Sequence, residues 1–246
     1  MEVRPDLGRR AKRLALVLLL LAIVACGLVV WLAYFTNACA IRKVTVTGNK
    51  YLTTDYIRQV SGASYYKNLV TVPVGKLEKN LERDPWISDA RIGRHLMHTL
   101  NIDVKERRPV ALLDFGGAGF VVDGSGYVIT SISADKFPQL PRVYGGDAPP
   151  PRVAARVTDP RTVECIKVIA GMPQEIRDMI QLGNPFDGRG QVFASRLGYN
   201  IVYGKASELS KKNEILQAIA LDVKNNKRKI AYIDVRVPDS PVIMPK

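Results

Sequence analysis

The strongest pattern in this sequence is an uninterrupted apolar run from Leu14 to Phe35, which contains no charged residue. A helix of this length rises about 33 Å, close to the thickness of the hydrocarbon core of a bilayer. The run therefore predicts one membrane-spanning helix over residues 14–35. Basic residues are denser before the run than directly after it. We therefore expect residues 1–13 to be a cytoplasmic tail and the bulk of the chain to lie outside the cell (inner) membrane.

Two other interpretations of the same stretch remain open. The residues from Ile23 to Cys26 resemble a lipoprotein cleavage box, and the residues from Ala38 to Ala40 resemble a signal-peptidase site. Signal peptides, however, have a shorter apolar core than the run observed here. A permanent membrane anchor is therefore the favoured interpretation.

The spacing of apolar residues after the membrane run predicts a small α+β module. Thr53 or Thr54 can cap a short helix that Gly62 closes, and Pro85 stops a second helix. Strand-like alternation precedes the first helix and follows the second. The elements come in the order β-α-α-β-β, at residues 41–47, 53–61, 74–83, 86–94 and 99–106. Pro109 marks the end of this module.

The next part of the chain, residues 110–237, is rich in short β runs. Two of them, residues 120–122 and 127–129, flank Asp123-Gly124-Ser125-Gly126, a pattern typical of a β-hairpin. The other predicted elements are a helix at 161–170 and strands at 178–182, 191–195 and 199–203. A longer helix is predicted from Glu208 to Lys224, because it carries an apolar face and follows the capping residue Ser207.

The last predicted strand spans residues 230–237, where apolar and polar side chains alternate. Pro238, Pro241 and Pro245 follow it, and proline cannot donate to a ladder. We therefore expect this strand to lie at the edge of its sheet and residues 238–246 to form a tail. A charged edge strand resists aggregation, yet its free backbone can accept a strand from a partner.

Composition narrows the function classes. The net charge of +13 suits an anionic neighbour, although plain solubility explains it as well. Nothing predicts nucleic-acid binding, because no basic and aromatic stripe occurs. The two histidines, His95 and His98, have no nearby Cys, Asp or Glu to complete a metal site. We predict no cofactor, no metal and no enzymatic activity, and we expect Cys165 to be a buried small hydrophobe.

Several short runs carry a family resemblance through their order and spacing. They are residues 44–49, 84–94, 99–111, 122–126, 140–141 and 232–236. Over nearly its whole length the chain resembles the FtsQ/DivIB family of bacterial cell-division proteins. It departs from the family at Met97, where a proline often stands, and in its short tail after Val237.

The resemblance implies an α+β fold with three parts: the membrane helix, a POTRA domain at residues 40–109, and an FtsQ-type β domain at 110–237 with a C-terminal helix and an edge strand. It implies a non-enzymatic scaffold of the divisome at the division septum. Such a scaffold binds FtsB-like and FtsL-like proteins and helps to recruit and regulate septal cell-wall synthases.

The resemblance also implies that the partner docks near the C-terminal strand. The predicted partner-binding residues are Ile230, Tyr232, Ile233, Asp234, Val235, Arg236, Val237 and Asp239. Arg236 would pair with a partner carboxylate, and Tyr232 would be an aromatic anchor. The alternative is that Tyr232 packs against the preceding helix and Arg236 pairs with Asp234.

Two rival functions are weighed against the scaffold. A POTRA module also occurs in secretion and outer-membrane biogenesis factors, but the helix predicted near the end of this chain argues against a β-barrel that would follow it. A membrane-anchored wall hydrolase is disfavoured because no local catalytic set is visible.

Overall fold

A computed structural model describes residues 7–35, 39–95, 98–133, 137–146 and 149–246. The predicted tail lies outside this range over residues 1–6, and Met97 does as well. Helix α1 spans Leu7–Phe35, so it begins before the predicted membrane span. Within it, Ala11–Leu32 is long and apolar enough to cross a membrane.

The chain divides into two compact units, of which the first comprises Met1–Arg83 and Ile87–Glu106. After α1 it contains β1 (Lys43–Thr47), α2 (Thr54–Ser61), a 3-10 turn (Ala63–Tyr65), α3 (Val74–Glu82), β2 (Ile87–His95) and β3 (Thr99–Glu106). The strands form a sheet in the order β1-β3-β2, with β1 parallel and β2 antiparallel to β3. The β-α-α-β-β order is confirmed.

Local signals in the sequence set the ends of α2. The Thr53 hydroxyl accepts a hydrogen bond from the Tyr56 amide at 3.3 Å, as an N-cap residue should. Gly62 ends the helix in the left-handed region with φ of 75°, a conformation that glycine adopts without a Cβ clash. One face of α2 buries Ile57 against the apolar side of the sheet.

Gly48 is the tightest backbone position in the first unit. It has φ of +86°, and a Cβ built there would lie 2.0 Å from the carbonyl oxygen of Val104. The turn after β1 therefore presses directly on β3, which only a glycine permits.

The second unit comprises Asp84–Trp86 and Arg107–Lys246. Its strands are β4 (Pro109–Phe115), β5 (Ala118–Asp123), β6 (Val128–Ser133), β7 (Arg142–Tyr144), β8 (Ile180–Asn184), β9 (Gln191–Ser195), β10 (Asn200–Gly204), β11 (Ile230–Asp234) and β12 (Val242–Pro245). Its helices are α4 (Pro160–Gly171), α5 (Gln174–Met179) and α6 (Leu209–Asn225). All nine strands form one mixed sheet in the order β12-β11-β10-β9-β8-β7-β4-β5-β6, called here the large sheet.

The helices of this unit cover one face of the large sheet. Buried residues of α4, α5 and α6, such as Ile169, Ile176 and Leu216, pack with Phe193 and Ile233 of the strands in one continuous core. We call the opposite side the open face. Near β4–β6 the open face carries a second, small cluster, formed by Leu112, Val121 and Ile129 with partly buried residues around them.

Asp123 stabilises the hairpin between β5 and β6. It accepts hydrogen bonds from the Ser125 amide at 2.8 Å, the Tyr127 amide at 3.0 Å and the Arg107 guanidinium at 2.9 Å. Burial by itself would raise the pKa of this carboxyl. The bonds from Ser125, Tyr127 and Arg107 outweigh burial, and the pKa lies below 3.8. The predicted hairpin is thus confirmed.

One local prediction near the C-terminus is wrong. α6 begins at Leu209 after Glu208, which has φ of 50°, and no side chain caps it, so Ser207 is not the cap. The Lys212 side chain is 1 % exposed and donates to the carbonyls of Tyr203 and Lys205 at 3.2 and 3.0 Å. These bonds replace part of the lost hydration, while burial lowers the pKa of Lys212 because it disfavours the charged form.

The prediction that the strand at 230–237 is the sheet edge is also wrong. β11 pairs with β10 in parallel on one side and with β12 antiparallel on the other. The prolines at 241 and 245 flank β12 and do not prevent it, since a short outer strand tolerates a missing donor on its free side. The segment expected to be a tail therefore supplies the edge strand.

The close approach at Gly48 gives a test of the first unit. We expect Gly48→Ala to destabilise it by about 2 kcal/mol or more, because the new methyl group meets the Val104 carbonyl and the positive φ becomes strained. The matched control is Gly75→Ala, which meets nothing within 4 Å on α3 and should stabilise by about 0.5 kcal/mol. Amide exchange at Leu100 and Ile102, in the middle of the sheet, measures both effects. Equal exchange in the two variants would contradict this account.

Candidate partner-binding edge of the large sheet

The eight predicted partner-binding residues divide between two sides of the large sheet. Ile230, Ile233 and Val235 are buried in the core beneath the helices, so a partner cannot reach them while the unit is folded. Tyr232, Asp234 and Arg236 alternate with Ile233 and Val235, as the sequence pattern predicts, and belong to the open face. Ile230 is out of this alternation because the β11–β12 register shifts between Ile230 and Tyr232. Val237 and Asp239 follow in an exposed turn.

Arg236 is already engaged within the chain. Its guanidinium contacts the Asp234 carboxylate at 2.7 Å through Nη2 and at 3.0 Å through Nε, and the Asp234 oxygen also accepts from the Arg236 amide. Burial acts to raise the pKa of Asp234, but the bonds from Arg236 outweigh it and the pKa is lowered. For Arg236 the structure therefore agrees with the alternative pairing. For Tyr232 it does not, because the side chain lies on the face opposite α6.

Asp239 is similarly paired, with the ammonium group of Lys211 on α6. This ion pair is exposed on both sides, so it contributes little to stability. It does link the turn between β11 and β12 to the helix layer. The Asp234–Arg236 pair lies just before this turn, and the Lys211–Asp239 pair lies within it.

Sequence reasoning missed the residues at the actual edge, which belong to β12. Tyr232 stands opposite Met244, Ile233 opposite Ile243, and Asp234 opposite Val242. The signal for this strand in the sequence is the apolar run of Val242, Ile243 and Met244 between two prolines.

The direction of the β12 backbone groups follows from one hydrogen bond. The Lys246 amide donates to the Lys229 carbonyl at 3.2 Å, so Lys246 turns its backbone toward β11. Backbone direction alternates along a strand. Met244 and Val242 therefore face β11 as well, whereas Ile243 and Pro245 turn their backbone groups away from it. We call this free backbone edge the rim.

Pro245 lies where its missing N–H is harmless, because the rim side of its backbone has no strand to bond. The rim thus offers the N–H and carbonyl of Ile243 and the carbonyl of Pro245. Beside it stand exposed apolar side chains: Val237 is 61 % exposed, Val242 48 % and Met244 44 %. In the part of the chain that the structure describes, no group of three or more His, Cys, Asp or Glu residues could hold a metal ion.

The arrangement at the rim makes a prediction about truncation. Removal of residues 238–246 deletes β12, so the amides of Tyr232 and Asp234, which face β12, should lose their protection from hydrogen exchange. The Val235 amide donates to the Val202 carbonyl of β10 at 3.0 Å and should keep its protection. If all three amides stayed equally protected, β12 would not cover β11 in solution.

Comparison with known proteins shows which protein family this chain resembles. A family model described as "POTRA domain, FtsQ-type" matches residues 39–107. Cell division protein FtsQ of Zymomonas mobilis is 29 % identical over 157 residues, which cover 58 % of this chain and 49 % of that protein. FtsQ of Bartonella bacilliformis is 25 % identical over 80 % of this chain and 60 % of its own length.

Other relatives extend the match along the chain. FtsQ of Streptomyces venezuelae is 25 % identical over 95 % of this chain and 83 % of its own length. The solved extracytoplasmic domain of DivIB from Geobacillus stearothermophilus aligns with 50 % of this chain and 98 % of that domain, at 15 % identity and a TM-score of 0.34, too low to equate the two folds. The chain thus contains an FtsQ-type POTRA domain, and along most of its length it is similar to cell-division proteins of the FtsQ/DivIB family.

Proposed function

We propose that this chain is a membrane-anchored, non-enzymatic scaffold of the division apparatus that accepts a strand from an FtsB-like protein along the rim of its large sheet. α1 would hold it in the cell membrane with the N-terminus in the cytoplasm. The two folded units would lie outside, at the septum, where the complex with FtsB-like and FtsL-like proteins would help to recruit septal cell-wall synthases. The observation that carries the proposal is the free backbone of β12 in a protein that resembles this family.

Strand addition at the rim is supported by its unsatisfied backbone groups. A strand placed beside β12 could exchange hydrogen bonds with both backbone groups of Ile243 and donate one to Pro245. Each such bond contributes about 0.5–1.5 kcal/mol net. Three of them are too few for tight binding by themselves, so side chains must supply much of the affinity.

The side chains nearest the rim suit an apolar partner segment. Val242 and Met244 project on the open face, and Tyr232 lies next to Met244 in register. A partner strand that alternates large apolar residues would cover this strip, because side chains on one face of a sheet meet their cross-strand neighbours. Burial of such exposed groups yields about 25 cal/mol per Å².

This proposal changes the roles of the residues that the sequence predicted to bind a partner. Tyr232, Asp234, Arg236, Val237 and Asp239 remain candidates as neighbours of the rim. A partner carboxylate would have to share Arg236 with Asp234, so this residue would orient the partner instead of supplying a free charge. The buried members of the set would support β11 without touching the partner.

The backbone mode of binding can be tested with Ile243→Pro. This change deletes the N–H that the rim offers and should weaken co-purification with the FtsB-like protein of the same organism about tenfold or more, as expected when a partner carbonyl is left unbonded. Ile243→Val keeps the N–H and is the matched control. Protection of the Tyr232 and Asp234 amides reports whether β12 still pairs.

Full binding by a proline variant that retains paired β12 would refute strand addition at the rim. If the proline variant unpairs β12, Met244→Glu tests the same surface through its side chain, because a carboxylate placed among apolar contacts should also weaken binding. Unchanged binding by Met244→Glu would exclude the apolar strip.

The rival secretion or outer-membrane function makes a different prediction about location. A fluorescent fusion to the N-terminus of the full chain should form a band at midcell before constriction if the chain is a division scaffold. An even signal around the envelope throughout the cell cycle would favour the rival. The Ile243→Val fusion serves as the control, since it should locate like the unaltered chain.

A further inference from the structure

Three segments that are far apart in the sequence meet at one end of the first unit. The Ile41 amide donates to the Lys67 carbonyl, and the Leu69 amide donates to the Cys39 carbonyl, both at 2.7 Å. The Arg42 amide donates to the His98 carbonyl at 2.9 Å. These bonds join residues 39–43, 66–71 and 98–99. The β2–β3 pairing places residues 93–95 beside residues 99–101, and we call the combined area of residues 39–43, 66–71, 93–95 and 98–99 the proximal surface.

The proximal surface is tied closely to the end of α1. Four peptide units separate Phe35 from Cys39, and they can span at most about 14 Å. The Asn68 side chain also donates to the carbonyl of Tyr34 at 3.4 Å. If α1 crosses the membrane, the proximal surface must therefore lie at the headgroup layer into which α1 emerges.

The charge of the proximal surface has a single sign. Arg42, Lys43, Lys67 and Arg94 are all exposed there, and the Arg94 guanidinium also donates to the Val72 carbonyl at 2.8 Å. Residues 36–54, 62–77 and 90–102 contain no aspartate or glutamate. Their positive charges are therefore not neutralised by carboxylates of the same segments.

The carboxylates of the first unit are used elsewhere. Glu106 accepts the amides of residues 50–52 at 2.7–2.9 Å and Asp103 accepts the Thr47 hydroxyl at 3.0 Å, both at the opposite end of the three-stranded sheet. Glu78, on α3, accepts the Ile92 amide at 2.8 Å. These three carboxylates therefore do not neutralise the basic residues of the proximal surface.

An apolar side chain stands among the basic ones. Val70 is 37 % exposed at the tip of a turn, where its amide donates to the Asn68 side chain at 2.8 Å. Basic residues around an exposed apolar group are typical of surfaces that rest on a membrane, where the charge meets headgroups and the apolar group reaches the acyl boundary.

We propose that the proximal surface binds the phosphate groups of anionic phospholipids in the leaflet at the C-terminal end of α1. The inference rests on the membrane anchoring included in the proposed function. Arg42, Lys43 and Lys67 supply the charge, and Val70 supplies the apolar contact. Because the tether already holds this surface at the headgroups, binding would orient the first unit on the membrane at little further entropic cost.

The test uses the full chain in lipid nanodiscs made of phosphatidylcholine alone or mixed with phosphatidylglycerol. Amides of residues 39–43 and 66–71 should exchange about threefold or more slowly in the anionic discs, since each nearby basic residue contributes about 1 kcal/mol, or fivefold, to attraction. The difference should vanish at about 1 M salt, where the Debye length is about 3 Å.

Charge variants separate this surface from general attraction. Arg42→Gln, Lys43→Gln and Lys67→Gln combined should abolish the difference between discs. The matched control combines Lys50→Gln, Lys79→Gln and Lys105→Gln, which are exposed elsewhere in the same unit, and should preserve it. A loss of equal size in both triple variants would overturn the assignment to the proximal surface.

Two further outcomes are decisive. If inorganic phosphate added to neutral discs gives the same protection, the surface binds a free anion and the assignment to lipid is wrong. If the chain enters both discs but exchanges equally in them, the lipid surface is overturned while the scaffold function stands. Failure to enter either disc would instead overturn the anchoring on which both proposals rest.

Discussion

The pairing of β12 with β11 decides which backbone groups lie free at this edge of the large sheet. Without β12, the last backbone of the large sheet would be β11, with its neighbouring polar face. With β12 in place, the free backbone groups at this edge, among the residues that the structure describes, are those of Ile243 and Pro245. The free backbone at this edge is therefore short, and the Asp234–Arg236 and Lys211–Asp239 pairs lie in and beside the turn that precedes it.

A short rim bordered by prolines can accept a partner strand and still resist aggregation. A long, flat edge would pair with copies of itself and aggregate. The prolines limit the number of ladder bonds that any incoming strand can make, so an arbitrary β segment gains little. A partner that also covers Val242 and Met244 gains more, and in our proposal selectivity comes from this added apolar contact.

In the first unit, too, backbone pairing determines which side chains are exposed. Its small sheet brings the ends of three separate segments together beside the tether to α1. The backbone hydrogen bonds that join these segments use main-chain groups only. The basic side chains therefore remain exposed. The basic end and the end that holds Asp103 and Glu106 are thus a consequence of how the β-α-α-β-β order closes.

Local sequence determined much of the architecture. The apolar run predicts most of α1, Thr53 and Gly62 set the ends of α2, and strict alternation predicts β3, because each of these signals lies within the element itself. β4 was not predicted, since Ala111 and Leu113 face the core while Leu112 enters the small cluster on the open face, so alternation disappears. α5 was not predicted, because six residues are too few to show a helical period, and the strand predicted at 178–182 includes the last two residues of this helix before β8 begins at Ile180.

Only the tertiary structure decided which strand is the edge and which charges are free. The sequence identified the polar face of residues 232–236, but it could not show that Arg236 is paired or that Val242–Pro245 returns beside β11. A proline in the sequence shows only that one backbone N–H is missing. Whether that matters depends on the side of the strand to which the amide would have pointed, and this is fixed by neighbours that are distant in the chain.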